Sequence, residues 1–147
     1  MTKLTGLLNI PNGIIKMNNN VFDFCTNIID IIFPSSLIEI SNSAFSNCNF
    51  TNVNIPEGVQ TIGMYAFSAC HNLSVVTIPS TVTIIDMLAF SNSFNIVRIN
   101  AYPMTAPTIG TNAFYGMNKA NALHRVTGTT GYDINGWESF TGQITDL

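Results

Sequence analysis

An apolar residue followed by proline recurs at Ile10-Pro11, Phe33-Pro34, Ile55-Pro56 and Ile78-Pro79, with the prolines 23, 22 and 23 residues apart. A second pair, a small or β-branched residue before phenylalanine, recurs at Val21-Phe22, Ala44-Phe45, Ala66-Phe67, Ala89-Phe90 and Ala113-Phe114, at spacings of 23, 22, 23 and 24. Cys25, Cys48 and Cys70 stand three residues after three of these phenylalanines, and Ser93 and Met117 continue that column. Three independent columns that keep one period mark a repeat architecture, and this constrains the fold more than any local propensity.

Each copy reads as two short strands. The first places apolar side chains at Leu73, Val76 and Ile78, matched by Ile28, Ile31 and Phe33 and by Phe50, Val53 and Ile55. Its last two apolar positions alternate as a half-buried strand requires. Proline then ends the strand, because it cannot donate to a ladder. The second strand buries Val82 and Ile85, matched by Val59/Ile62, Leu37/Ile40 and Ile14/Met17. Gly63 and Asn18 follow it as residues suited to a bend. One copy is a residue short, with only Asn49 between Cys48 and Phe50. The expectation is that the turn absorbs this deletion and both strands stay in register.

A unit of about 23 residues cannot bury its own apolar face. Stacked one strand spacing apart, about 4.8 Å, such units pair strand to strand in parallel and turn each repeated side chain into an interior column. The phenylalanines are then core.

Composition agrees and narrows the function. Hydrophobic residues are 46% of the 147, so disorder is excluded, whereas charged residues are only 9%, far below the usual roughly 25%. Lys3, Lys16, Arg98, Lys119 and Arg125 are scattered in a chain of net charge −3. No phosphate-neutralising patch forms, so nucleic acid is not an expected partner. No apolar run reaches the roughly 18 residues of a membrane helix. The first residues lack the pattern of a signal peptide, which leaves open both a cytoplasmic chain and a piece of an exported parent.

The run Ile55-Pro56, Val59-Gln60-Thr61-Ile62-Gly63, Ala66-Phe67, Cys70, Leu73 and Val76 resembles the repeat of the BspA-like leucine-rich repeat family. The likeness extends over about residues 5–126. The resemblance implies a mainly β fold: a right-handed parallel leucine-rich-repeat solenoid of about 5 coils, with short turns or 3-10 segments and a C-terminal cap. Residues 1–126 would form the solenoid and 127–147 the cap, within one domain. Tyr132, Trp137 and Phe140 look like the side chains that cover the last coil in such arrays; uncovered, that coil would expose its apolar side and a strand edge. The family further implies a surface-displayed or secreted bacterial protein working in adhesion. No covering segment precedes Leu8 and Ile10, so the first coil is a candidate seam for homo-oligomers.

Catalytic and metal chemistry find little support. Cysteines 22 or 23 apart make no C-x-x-C site, and His71 and His124 lie far from them along the chain. Stacking brings the thiols within disulfide range at Cα, but parallel side chains in a ladder favour buried reduced thiols. The acids are dispersed, so no carboxylate pair of a glycosidase stands out. No phosphate-binding glycine motif occurs. Neither a cofactor nor an enzymatic activity is expected.

What remains is surface. The outward positions of the first strand, Asp30, Asn52, Asn54, Val75, Thr77, Arg98 and Asn100, with Ile32, form rows suited to a polar, extended partner, either glycan or protein. Those of the second strand include Lys16, Glu39, Gln60, Thr61 and Thr83, with Ile15, Ile38 and Ile84 expected at equivalent places as an apolar stripe for self-association. A binding or adhesion module is the leading reading. A structural spacer that stacks through its first coil is the alternative.

Overall fold

The computed structural model describes residues 5–117, 122–132, 137, 140 and 145–146. Strands β1 (Gly6–Asn9), β3 (Ile28–Ile32), β5 (Asn52–Asn54), β7 (Val75–Ile78), β9 (Arg98–Ala101), β11 (Ala122–Arg125) and β12 (Thr145–Asp146) lie on one side, the front. Between them along the chain come β2 (Lys16–Met17), β4 (Glu39–Ile40), β6 (Thr61–Ile62), β8 (Ile84–Ile85) and β10 (Thr108–Ile109), on the back. All pairing is parallel: the back sheet runs β2-β4-β6-β8-β10, and the front sheet from β5 onward runs β5-β7-β9-β11-β12. The result is a parallel β-solenoid of about five turns, as the columns in the sequence predict. No helix of the described residues is long and apolar enough to cross a membrane.

The interior is built of ladders. Phe22, Phe45, Phe67, Phe90 and Phe114 stack in one column with every neighbouring centroid pair 5.4 Å apart and ring planes within 13° of parallel. The cysteine column is tied to this one. The Cys48 thiol donates to the Phe22 carbonyl at 3.2 Å, Cys70 to Phe45 at 3.3 Å, and the Ser93 hydroxyl to Phe67 at 2.9 Å. Three successive coils thus each close one carbonyl of the coil before with an S–H or O–H donor.

The Ala-Phe corner uses backbone that the residue types do not announce. Two positions per coil, two residues before and two after the phenylalanine, have left-handed φ: Asn20 and Phe24, Ser43 and Asn47, Tyr65 and Ala69, Leu88 and Asn92, Asn112 and Gly116. This conformation costs an L-residue roughly 1–2 kcal/mol. In the first four coils the corner holds it by pairing its backbone donors in alternation. Val21, Asp23 and Cys25 N–H donate three residues back within the turn, while Asn20, Phe22 and Phe24 N–H donate across to Asn42, Ala44 and Ser46 of the next coil.

Three expectations need correction. First, the short copy keeps the back strand in register, with β4 paired to β6, but not the front one: β1 and β3 form a two-stranded sheet separate from the five strands that begin at β5. The β1–β3 register shifts by one between Gly6 and Leu7, a bulge in β3, and bulges bend a strand away from its neighbour. The Ile31 N–H turns instead to the Asp30 carboxylate at 2.8 Å. Second, Gly63 is not a conformational hinge, since its φ is not left-handed; a Cβ there would fall 2.8 Å from the Ser41 carbonyl carbon and 2.9 Å from the Asn42 nitrogen. Gly110 repeats this against Met87 and Asp86. These glycines allow close approach of one coil to the next. Third, Ile14 is 39% exposed, and Phe22, Phe33 and Cys25 are only partly buried; Ile14, Phe22 and Cys25 lie in the first coil, which packs against described residues on one side only.

At the other end the core is covered. Trp137, Tyr132 and Phe140 are buried. The Trp137 ring lies 5.4 Å from Phe114, and its indole N–H donates to the Pro107 carbonyl at 2.8 Å. The Tyr132 hydroxyl donates to the Pro103 carbonyl at 3.1 Å. Strand β12 follows as a further rung on β11, so the C-terminal segment also extends the sheet.

Candidate binding surface

Parallel register sets the front face. Asn52 lies beside Val75, Val75 beside Arg98, and Arg98 beside Ala122. Two residues on, Asn54, Thr77, Asn100 and His124 form a second row in the same register. Between the rows the chain points inward at Val53, Val76, Ile99 and Leu123, all buried. Six of the seven residues expected on this face therefore come together on three adjacent strands. The seventh, Asp30, occupies the corresponding position on β3 but stands across the break from β5, its carboxylate engaged with its own chain.

The face is amide and hydroxyl in character. Asn52, Asn54 and Arg98 are exposed, while Val75, Thr77 and Asn100 are half-buried. The Asn100 Oδ1 is buried without a hydrogen-bond partner. His124 is the rung after Asn100. Burial, and then the Arg98 charge, hold its pKa below the usual histidine value. The spacing of 24 from Asn100 to His124 is the signal that would have placed it.

The back face corrects another expectation. Ile84 pairs with Thr61 and Thr108, in the row of Lys16 and Glu39. Ile15 and Ile38 lie one residue earlier, so the three isoleucines do not form one stripe. Here the Lys16 ammonium meets the Glu39 carboxylate at 2.8 Å and lowers the Glu39 pKa.

The three cysteines are free, with Cys48 and Cys70 buried and Cys25 half-buried. Burial, with little relief from hydrogen bonding, pushes the Cys48 and Cys70 thiols up to about 12. Such thiols are inert neutral packing groups rather than nucleophiles. Among the described residues no group of three or more His, Cys, Asp or Glu is placed to hold a metal ion.

Two solved structures share this architecture. One is a leucine-rich repeat protein from Bacteroides ovatus, at 20% identity and TM-score 0.54 over 79% of this chain and 42% of its own. Another is a leucine rich cell surface protein from Faecalibacterium prausnitzii, at 23% identity and TM-score 0.53 over 76% of this chain and 38% of its own. The chain thus spans less than half the length of either. No curated protein matches it. The BspA type leucine rich repeat region matches residues 2–121 in 6 copies, the same period that sets the phenylalanine and thiol columns; the chain belongs to that family.

Proposed function

We propose that the chain is a non-catalytic binding module that offers the front face of β5, β7, β9 and β11 to a glycan or protein, in a protein displayed at a cell surface. The observation that carries this reading is the register itself, which lines up Asn54, Thr77, Asn100 and His124 one per coil. A flat row of this kind suits an extended partner held by many modest contacts, and it lacks the aromatic anchors of a tight protein interface. The cell-surface description of the Faecalibacterium neighbour supports the location.

The test is an array of glycans and extracellular-matrix proteins probed with the purified chain. Binding is expected, to be weakened by Asn54→Ala combined with Thr77→Ala and untouched by Gln60→Ala combined with Thr83→Ala on the back. A blank array, or equal loss from both double variants, overturns the reading.

A further inference from the structure

We propose that the Arg98, Asn100 and His124 end of this face is a subsite for the carboxylate of an acidic glycan, an inference that rests on the front face being the binding surface. Arg98 is exposed, and its partners across the ladder are Val75 and Ala122. Among the described residues the ion pair formed is Lys16 with Glu39, on the back sheet, so no described carboxylate within ion-pair reach compensates the Arg98 guanidinium. Of the acids whose side chains are described, Asp23 meets Asn47 in a corner, Asp30 lies across the break in the front sheet, Glu39 on β4, Glu57 beside Ser80 in the corner after Pro56, and Asp86 in the turn after β8. In a chain of net charge −3, this is a place where, among the described side chains, an anion meets a cation without first meeting an acid.

Guanidinium pairs with carboxylate through two parallel hydrogen bonds. Asn100, two residues along the same strand and on the same face, supplies the second element. Its Oδ1 is buried with no donor, a condition that costs free energy until a bond forms. A ligand hydroxyl donating to the rotated amide relieves it. Burial and the Arg98 charge hold the His124 pKa below the usual histidine value, so among the described side chains Arg98 is the charged group of the subsite, which suits one carboxylate. The rest of the row, Asn54 and Thr77, offers donors and acceptors at about 4.8 Å intervals, close to the rise of one sugar unit in an extended chain. A hydroxyl on every unit fits this row better than the apolar side chains of a peptide do.

The experiment is calorimetry of the chain with polygalacturonate oligosaccharides. Their methyl esters serve as the neutral arm, heparin as the sulfated arm and polyglutamate as the peptide arm. Polygalacturonate is expected to bind best, and more weakly as salt rises. Arg98→Gln should cost at least about tenfold in affinity, and Asn100→Ala a smaller factor. Arg98→Lys should recover part of the loss, and Lys16→Gln on the back should change nothing. Equal binding of the methyl ester, unchanged binding by Arg98→Gln, or no binding of polygalacturonate overturns the subsite. Preference for heparin overturns the carboxylate assignment, and preference for polyglutamate overturns the glycan. The wild-type array decides the binding-surface reading separately, since a hit there on a neutral glycan or a matrix protein sustains it even when the subsite fails.

Discussion

The thiol column shows how a single side chain is chosen in this fold. At the position after the Ala-Phe corner the chain needs a small group that fills the interior and also donates to a carbonyl of the preceding coil. Cysteine does both at Cys48 and Cys70, and serine does so at Ser93. The buried thiols also leave a pH signature. Their pKa stands at about 12 against an ordinary 9, so unfolded chains lose these protons first as pH rises. Stability is therefore intact below about pH 9 and falls between about pH 9 and 12, at up to about 1.4 kcal/mol per pH unit for each thiol. Cys70→Ser, which keeps the donor, should remove roughly half of that slope in denaturant titrations at successive pH values. Iodoacetamide should modify half-buried Cys25 in the native protein and reach Cys48 and Cys70 only on unfolding. Early labelling of Cys70 would contradict the column as described.

Among the elements, the strands do not all couple equally. The Ile55 N–H donates to the Thr77 carbonyl, and the Ser74 N–H to Thr51. Their counterparts one coil earlier, the N–H groups of Phe33 and Thr51, make no such bond among the described residues, because β3 and β5 do not pair. Amide exchange by NMR should find Phe33 and Thr51 exchanging clearly faster than Ile55 and Ser74. Equal protection would mean that the ladder closes in solution. This break bears on what the chain could reveal in advance. Period, parallel stacking, the buried columns and the outward rows follow from repeated residue types, and six of the seven expected face residues meet on adjacent strands. The break itself does not follow, since a missing residue between Cys48 and Phe50 reads as a shorter turn, whereas its effect depends on the bulge in β3 and the Asp30 side chain. The left-handed corners are equally silent: Phe24, Tyr65 and Leu88 are residues that seldom adopt that conformation, and only the stacked coils hold them there. Ile84 misled because adjacent apolar residues, Ile84 and Ile85, leave the inward member to be decided by register.

For the molecule as a whole, stability accumulates between neighbouring coils, so the terminal surfaces matter more than in a closed fold. Trp137 is 1% exposed and bonded to Pro107; Trp137→Ala should cost about 3–5 kcal/mol, read as a lower midpoint in urea. A loss under about 1 kcal/mol would show that the last coil does not depend on this ring.

The phenylalanine column has an optical consequence too. Five rings at 5.4 Å intervals lead along the axis to Trp137, itself 5.4 Å from the last of them, and the chain has no second tryptophan. Light absorbed by any ring in the row can pass from chromophore to chromophore and finish as indole emission. The protein carries its own antenna, and the yield of that transfer reports whether every rung is in place.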